Sequence, residues 1–465
     1  MRAFDRAVLV RCVFSRPEWR LNQMNRAMEL IQDKKFGEAR AVVEEMQPAD
    51  IAAVFEELDS EQTIMLFRLL PKETAAEAFA YMTPEVQERV LTALTDVEVQ
   101  TVLDSQFMDD TVDMLEEMPA NVVKRVLRLT DSETRGMLNR LLNYEDGSAG
   151  SIMTTEYVDL KQDMTVRDAI DRIRKTAVDK ETINTCYVTN SSRVLEGVVS
   201  LRELLLAKDD ARVGDIMEDN PISVSTDDRD EDVAQLFSKY DMLALPVVDR
   251  EKRLVGIITI DDAVDVIQEA NTEDFEKMAA IAPSENTYLK TSAFTHARKR
   301  VVWLLILMVS SAITGSIINH YEEAFAAIPL LVSFIPMLMD TGGNCGSQSA
   351  TLIIRGLALG EIRIRDFFRV LFKEFQVSLL VGVILAPVNV LWIWFLYRNI
   401  LIALTVGVSM LVTICVAKMM GCILPIFAKK CGMDPAIMAS PLITTIVDAC
   451  SIFVYFNMAL LILKV

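Results

Sequence analysis

The carboxyl-terminal third of the chain consists of long apolar stretches separated by short polar loops. A helix needs about 20 mostly apolar residues to cross about 30 Å of hydrocarbon. Stretches of this kind cover 301–320, 328–354, 375–397, 399–417 continued by 419–428, and 435–463. Asp340 and Asp448 interrupt two of them. The pattern predicts a helical transmembrane domain with five spans over residues 298–465.

Basic residues in the short loops predict how the spans are oriented, because loops rich in Lys and Arg stay on the cytoplasmic side. These residues concentrate at 298–300, 355–373 and 429–430. The opposite side carries Arg398, Lys464 and the acidic Glu322 and Glu323. We therefore expect a multi-pass protein of the cell membrane with its amino-terminal half in the cytoplasm and its carboxyl terminus outside.

The amino-terminal part contains a short repeat. Between Ala27 and Asn143, an apolar residue followed by a cap or turn returns every 11 to 13 residues. Ser, Thr or Asp caps, often with Pro at the first helical position, start short helices. One such helix cannot bury its own apolar face, so neighbouring repeats stack. We predict an all-α superhelical domain over 24–147, preceded by a possible extension over 1–23.

A longer repeat follows. Ser151-Ile-Met matches Asp215-Ile-Met at an offset of 64 residues, and Tyr187-Val-Thr matches Pro246-Val-Val at an offset of 59. Each copy has the pattern strand, helix, strand, turn, strand, helix, with β-branched runs that end in Gly. This α/β pattern resembles a tandem pair of CBS modules, over 148–212 and 213–270, with a connecting helix over 271–297 before the membrane domain.

The resemblance to CBS pairs implies a ligand-sensing module that often binds adenine nucleotides such as ATP. Ser200 with Glu203, and Thr259 with Asp262, occupy the positions that bind ribose in nucleotide-binding members. The same two pairs are also equally compatible with ordinary helix capping.

The charge of the chain is unevenly distributed. The whole chain has 47 Lys and Arg against 66 Asp and Glu, a net charge of -19, whereas residues 301–465 have 10 against 8. The acidic first part argues against nucleic acid as a partner. Seven scattered cysteines and two histidines favour neither a disulfide framework nor a zinc site. Any bound metal should therefore have oxygen ligands.

Charged groups within hydrocarbon are costly and usually functional. In Pro441-Leu-Ile-Thr-Thr-Ile-Val-Asp448, the helical period places Thr444, Thr445 and Asp448 on one face. A proline inside a helix also frees the carbonyl four residues earlier. We predict that this face offers a carboxylate, two hydroxyls and loosened backbone oxygens to a hard cation.

The second predicted span supplies a companion face with Asp340 and Asn344, followed by Ser347 or Gln348 and then by Thr351. Glycines at 342, 343 and 346 allow close helix approach. Two alternatives to a cation-binding role stay open. The small and polar residues could serve only to pack helices together, and Asp340 could lie near a membrane interface. One carboxylate with hydroxyls and carbonyls suits Mg²⁺ better than Ca²⁺. By symmetry, a two-fold dimer would present Asp448 twice across a shared axis.

Three motifs resemble the MgtE family of magnesium channels: Asp340-Thr-Gly-Gly-Asn344-Cys-Gly-Ser-Gln-Ser-Ala-Thr, Gly432-Met-Asp-Pro-Ala and Pro441-Leu-Ile-Thr-Thr-Ile-Val-Asp448. The order of superhelix, CBS pair and five spans matches from about Met24 onward. The resemblance implies a homodimer that imports Mg²⁺ down its electrochemical gradient. It also assigns Asp448 to the pore, with a backbone oxygen from Thr444 beside it.

The resemblance further implies that cytoplasmic Mg²⁺ closes the pore by bridging acidic side chains. Positions that match the family's bridging acids are Asp109, Asp113, Asp241, Asp262, Asp265, Glu273, Asp274 and Asp434. Ala270 stands where the family can carry a further acid, and Arg229 lies near another acidic position. One sensor site is therefore expected to be weakened, or displaced onto Asp230 or Glu231.

Three alternatives remain. The transported ion could be another divalent cation, Co²⁺, Mn²⁺ or Ca²⁺, because oxygen sites accept several hard cations. The chain could instead be a membrane-anchored nucleotide sensor, or an intramembrane hydrolase that uses two aspartates. We expect no enzyme, since Asp340 and Asp448 have unlike contexts and the sequence contains no Gly-x-x-x-x-Gly-Lys-Ser/Thr loop for ATP hydrolysis.

Overall fold

The computed structural model describes residues 17–283, 288, 291–321 and 328–463. The chain divides into two compact units, with the boundary in sequence between Ile267 and Gln268. Most of the expected extension over 1–23 lies outside the described residues. The first described helix, α1, begins at Pro17, before Met24.

Short helices form the first part of the first unit. In chain order they are α1 (Pro17–Gln32), α2 (Phe36–Val43), α3 (Pro48–Glu56), α4 (Ser60–Leu69), α5 (Lys72–Ala80), α6 (Pro84–Ala93), α7 (Asp96–Leu103), α8 (Met108–Glu117), α9 (Ala120–Leu129) and α10 (Ser132–Leu141). Capping starts several of them, as the sequence predicts. The Asp59 side chain accepts the Gln62 N–H at the start of α4, and Pro48 and Pro84 occupy first turns.

The 12-residue repeat appears in space as a stack of aromatic rings. Phe55, Phe67 and Phe79 come from three successive helices, and neighbouring ring centroids lie 6.1 and 6.3 Å apart in edge-on geometry. All three side chains are buried. Each repeat therefore completes the apolar core of the next, which is the structural reason for the regular spacing.

Two small sheets follow, and the first three strands of each have the same topology. The first contains β1 (Asp159–Leu160), β2 (Thr185–Thr189), β3 (Leu195–Ser200) and β4 (Glu218–Asp219); the second contains β5 (Val224–Ser225), β6 (Ala244–Val248) and β7 (Leu254–Thr259). In each sheet a parallel pair precedes an antiparallel pair. The helices between these strands are α11 (Val166–Thr176), α12 (Leu201–Leu206), α13 (Val213–Ile216) and α14 (Asp230–Tyr240).

The last helix of the second copy is much longer than that of the first. This helix, α15, runs from Ile260 to Met278, whereas α12 has six residues. A connecting helix was expected over 271–297. In the structure its first part continues a helix that begins at Ile260, and the next described helix begins at Ala293.

The second unit is dominated by long helices. They are α16 (Ala293–His320), α17 (Ile335–Ala358), α18 (Phe367–Tyr397), α19 (Ile400–Lys430) and α20 (Ser440–Leu463). Among the residues that the structure describes, four segments are long and apolar enough to cross a membrane: Ala293–His320, Ile364–Tyr397, Ile400–Lys430 and Pro435–Leu463. The predicted second span divides into a 3₁₀ turn, Pro329–Phe334, and α17, which carries four glycines and a run of polar residues. Length and composition therefore support four of the five predicted spans.

Glycines on α17 set how closely the helices of this unit pack. A Cβ placed on Gly346 would lie 2.7 Å from the Ile443 side chain of α20. A Cβ on Gly421 of α19 would lie 2.3 Å from the backbone oxygen of Gly346. Larger residues cannot occupy these positions without moving backbone, so the glycines hold α17 directly against both neighbours.

Candidate cation pathway and acidic site

The helix α20 places the predicted polar face near its amino terminus. Asp448 is partly buried, and the Thr444 and Thr445 hydroxyls each donate to the Pro441 carbonyl oxygen at 3.0 Å. The expectation that Pro441 loosens a carbonyl inside the helix is wrong. Since α20 begins at Ser440, the proline lies in the first turn, where its missing N–H breaks no helical hydrogen bond.

The helix α17 brings a second carboxylate to this region. Its glycine face packs on α20, because a Cβ on Gly343 would lie 3.0 Å from the Thr444 side chain. The charge of Asp340 acts on Asp448, so the fold brings the two predicted aspartates into electrostatic contact. Asp340 and Asn344, four residues apart, are exposed on this single chain. Gln348 and Thr351 continue the polar stripe on the same helix.

A cluster of acidic side chains lies in the first unit. Oxygen atoms of Asp109, Glu156 and Glu181 lie within 4.8 Å of one another, close enough to share one metal ion. Asp109 is in the first turn of α8, where the Met108 N–H donates to Glu156 at 3.2 Å. Among the described residues, one buried carboxylate oxygen of Glu181, Oε2, has no hydrogen-bond partner. Oxygen ligands in this number suit a hard divalent cation.

Aspartates at the start of α15 complete this cluster, and burial together with mutual repulsion raises the pKa values of its carboxyl groups. Burial, and then the charge of Asp262, raise the pKa of Asp109 to about 9. Burial and the charge of Asp110 raise the pKa of Glu181 to about 7. Burial and Asp262 also raise the pKa of Asp110 to about 6. Without a cation, the cluster therefore retains protons at neutral pH.

Three members of this cluster were predicted from the sequence, and four were not. The structure groups the predicted Asp109 and Asp262 with each other, and the charge of Asp265 interacts with Asp261 and Asp262. The missed members are Asp110, Glu156, Glu181 and Asp261. Glu156 and Glu181 lie in connecting segments without helical or strand periodicity, so no local pattern marks them.

The remaining predicted sensor residues lie in other places. Asp113 is exposed one turn after Asp109 on α8, and Asp241 is exposed at the end of α14 with a left-handed φ of 52°. In the second unit, Lys277 Nζ lies 2.8 Å from Glu273 and 2.6 Å from Asp434. A lysine ammonium thus bridges two of the predicted carboxylates, while Asp274 is partly buried beside them in sequence on α15.

Both predicted nucleotide pairs make helix-capping contacts. Ser200 Oγ donates to Glu203 at 2.8 Å and accepts the Glu203 N–H, which is a capping box. Thr259 Oγ1 donates to Asp262 at 2.6 Å. The hydroxyls thus take part in local contacts, and Asp262 also belongs to the acidic cluster.

Two buried charged residues in the second unit were not predicted from the sequence. Glu374 of α18 and Lys418 of α19 are buried, and both contact the Ser349 hydroxyl. Lys418 divides two uncharged runs of one helix, which is the signal that could have marked it as an intramembrane charge.

Comparison with known proteins covers almost the whole chain. The family described as a divalent cation transporter, MgtE, matches residues 335–458, the MgtE intracellular N domain matches 46–147, and CBS domains match 149–210 and 213–269. A curated Thermus thermophilus protein named magnesium transporter MgtE is 37% identical over 94% of this chain and 97% of its own length. A Bacillus subtilis protein of the same name is 34% identical over 93% and 96%.

A solved structure agrees with these matches over about half of the chain. It is titled the crystal structure of the soluble part of a magnesium transporter, and it is 32% identical with a TM-score of 0.50. The match covers 54% of this chain and 99% of that one. The expected resemblance is confirmed, and the chain belongs to the MgtE family of divalent cation transporters.

Proposed function

We propose that this protein is a Mg²⁺ channel that imports magnesium down its electrochemical gradient. The observation that carries the proposal is that two aspartates, Asp340 and Asp448, lie near enough to interact electrostatically on two glycine-packed helices of an apolar unit. Carboxylates in hydrocarbon are costly and mark ion pathways. Curated relatives over nearly the same length are named magnesium transporters, which supports Mg²⁺ as the cation.

Within the proposed pathway, Asp448 supplies the charge that attracts the cation. Both threonine hydroxyls donate to Pro441, so their oxygen lone pairs remain available as acceptors toward water or a cation. Mg²⁺ gives up its water reluctantly and is held through one or two carboxylates. Thr444, Thr445 and Asn344 would therefore contact the hydration shell, while Asp340 adds a second charge.

A homodimer with five spans in each chain completes the pathway. The stripe of Asp340, Asn344, Gln348 and Thr351 would be costly against lipid, so a second copy or a water-filled pore should cover it. With α17 counted beside the four apolar segments, each chain crosses the membrane five times. The positive-inside rule then places the first unit in the cytoplasm.

The acidic cluster of the first unit is the proposed regulatory site for cytoplasmic Mg²⁺. Asp109, Glu156 and Glu181 would hold the ion, and Asp262 and Asp265 would raise the local negative charge. Bound Mg²⁺ relieves repulsion between α8, α15 and the first CBS module and favours one arrangement of this unit. The pore closes by population shift as the cytoplasmic concentration rises.

Other functions receive less support. Co²⁺ or Mn²⁺ could use the same oxygen ligands, and competition with Mg²⁺ uptake separates these cases. A membrane-anchored nucleotide sensor would bind ATP at the CBS pair and carry no flux, but the capping contacts of Ser200 and Thr259 account for the residues that suggested it.

The test is Mg²⁺ flux through purified protein in liposomes. We expect Asp448→Ala to abolish flux, whereas Asn457→Ala on the same helix should conduct normally, since Asn457 is exposed and donates to the Tyr321 hydroxyl. Flux at the wild-type rate in Asp448→Ala would remove this residue from the pathway. For the regulatory site, Asp262→Asn combined with Asp265→Asn should keep the channel open at high cytoplasmic Mg²⁺, and unchanged closure would move sensing elsewhere.

A further inference from the structure

Three buried polar side chains link three helices of the second unit, away from the two aspartates. Ser349 of α17, Glu374 of α18 and Lys418 of α19 expose 1, 9 and 4% of their surface. None of them belongs to the pathway face or to the acidic cluster. Their burial in an apolar unit requires an explanation, because an unpaired charge there would cost several kcal/mol.

Hydrogen bonds connect the three groups in one direction. Ser349 Oγ donates to Glu374 Oε2 at 2.6 Å, and Lys418 Nζ donates to Ser349 Oγ at 3.3 Å. The hydroxyl donates one hydrogen bond and can accept others through its lone pairs. It can therefore link the lysine ammonium to the glutamate carboxylate. The ammonium and the carboxylate balance each other through Ser349, and we call these three residues the buried relay.

Apolar residues one helical turn from each member of the buried relay pack together. Ile353 and Leu357, one and two turns after Ser349 on α17, form a core cluster with Cys422 and Ile426 of α19. Val370 of α18 packs against the same cluster. In such surroundings the strength of a charge-assisted hydrogen bond increases, and so does the cost of losing one partner.

The buried relay also lies where α17 is held most tightly. Gly346 and Ser349 share a face of α17. That face packs against Gly421, which lies one turn after Lys418 on α19. The backbones are so close that a Cβ on Gly421 would lie 2.3 Å from the Gly346 oxygen. The exposed Asp340 and Asn344 occupy a different face of the same helix. If the face with Gly346 and Ser349 shifts, the face with Asp340 and Asn344 must move with it, because both belong to the same helix.

We propose that Lys418, Ser349 and Glu374 are positioning residues for cation transport. Their charge-balanced link fixes α17 against α18 and α19, and thereby sets where Asp340 and Asn344 stand in the pathway. The inference rests on the proposed function, since it concerns the passage of the same cation. These three residues act on the pathway without contacting the transported ion.

The test measures Mg²⁺ flux in liposomes as a function of Mg²⁺ concentration for Lys418→Met, Glu374→Gln and the double variant. Each single variant leaves one buried charge unpaired, and we expect the concentration for half-maximal flux to rise roughly tenfold, as for other groups that orient ion ligands. The double variant carries no unpaired charge, and the amide oxygen introduced by Glu374→Gln still accepts from Ser349, so this variant should return close to the wild-type value. Lys430→Met, an exposed change on the same helix, is the matched control.

Maximal flux and half-saturation separate positioning from folding. A purely structural role would reduce the number of folded channels, which lowers maximal flux per protein and leaves half-saturation unchanged. That result, or a double variant as impaired as the single ones, would overturn the inference. If a single variant does not assemble, Glu374→Asp, which keeps the charge and shortens the side chain, replaces it: a raised half-saturation concentration is expected, and an unchanged value would overturn the inference. An inactive wild-type protein would instead refute the proposed Mg²⁺ transport itself.

Discussion

Binding of Mg²⁺ to the acidic cluster should release protons at neutral pH. A metal ion coordinates deprotonated carboxylates, whereas the pKa values of Asp109 and Glu181 are about 9 and about 7 in its absence. At pH 7 the first group is almost fully protonated and the second about half protonated. We therefore predict that about 1.5 protons leave for each ion bound at this site.

The same values set the pH dependence of affinity. Each released proton changes the binding free energy by about 1.4 kcal/mol per pH unit. Between pH 7 and 8 the release falls from about 1.5 to about 1 proton, so affinity should increase roughly twentyfold. At pH 9 Asp109 is half deprotonated, and release should fall to about half a proton.

Without metal, the raised pKa values make the free energy of unfolding fall as pH rises. The folded state binds more protons than the unfolded state above the ordinary carboxylate pKa values of 3.8 and 4.5. The stability contributed by these groups is fully present below those values, and it is lost as pH rises through about 7 and about 9. Added Mg²⁺ should counteract this loss most strongly at alkaline pH.

Calorimetric titration of the full-length protein in two buffers with different ionisation enthalpies measures the protons released. Asp109→Asn should remove about one of them at pH 7, because asparagine resembles the protonated carboxyl group. Asp104→Asn, an exposed change at the end of α7, should behave as wild type. The reasoning is refuted if the wild-type protein releases no protons at pH 7, or if Asp109→Asn releases as many as wild type.

Three further changes have defined outcomes. Gly421→Ala should reduce both thermal stability and flux by forcing α17 and α19 apart, with a cost of about 1–3 kcal/mol, whereas Gly315→Ala meets no atom within 4 Å and should be tolerated. Phe67→Ala opens a cavity in the aromatic stack and should cost about 3–5 kcal/mol in thermal unfolding, whereas the exposed Tyr81→Ala should cost little. Lys277→Met frees two carboxylates from their ammonium partner, so inhibition by cytoplasmic Mg²⁺ should begin at a lower concentration; an unchanged inhibition curve would contradict this assignment.

Features with a local period were predictable from the sequence. The 12-residue spacing that predicts stacked helices corresponds to the contacts of Phe55, Phe67 and Phe79. The 59-residue offset within the second repeat corresponds to strands β2 and β6, which begin at Thr185 and Ala244. Such patterns are readable because each repeat must bury the same apolar face.

Features that depend on tertiary contact were not predictable. Glu156 and Glu181 meet Asp109 only because α8 packs against loops of the first CBS module. Lys418 finds Glu374 through Ser349 on a third helix, and no spacing along the chain encodes that meeting. The effect of Pro441 was predicted wrongly for a related reason, because it depends on where the helix begins, and composition alone does not define that start.

Mg²⁺ flux into liposomes that contain the purified protein, with Mg²⁺ on the cytoplasmic face varied from micromolar to millimolar concentrations, tests the central claim most directly. The account predicts flux at low cytoplasmic Mg²⁺ that falls as this concentration rises. Absence of Mg²⁺ flux at every concentration would contradict transport, and flux that stays constant over the whole range would contradict regulation by the acidic cluster.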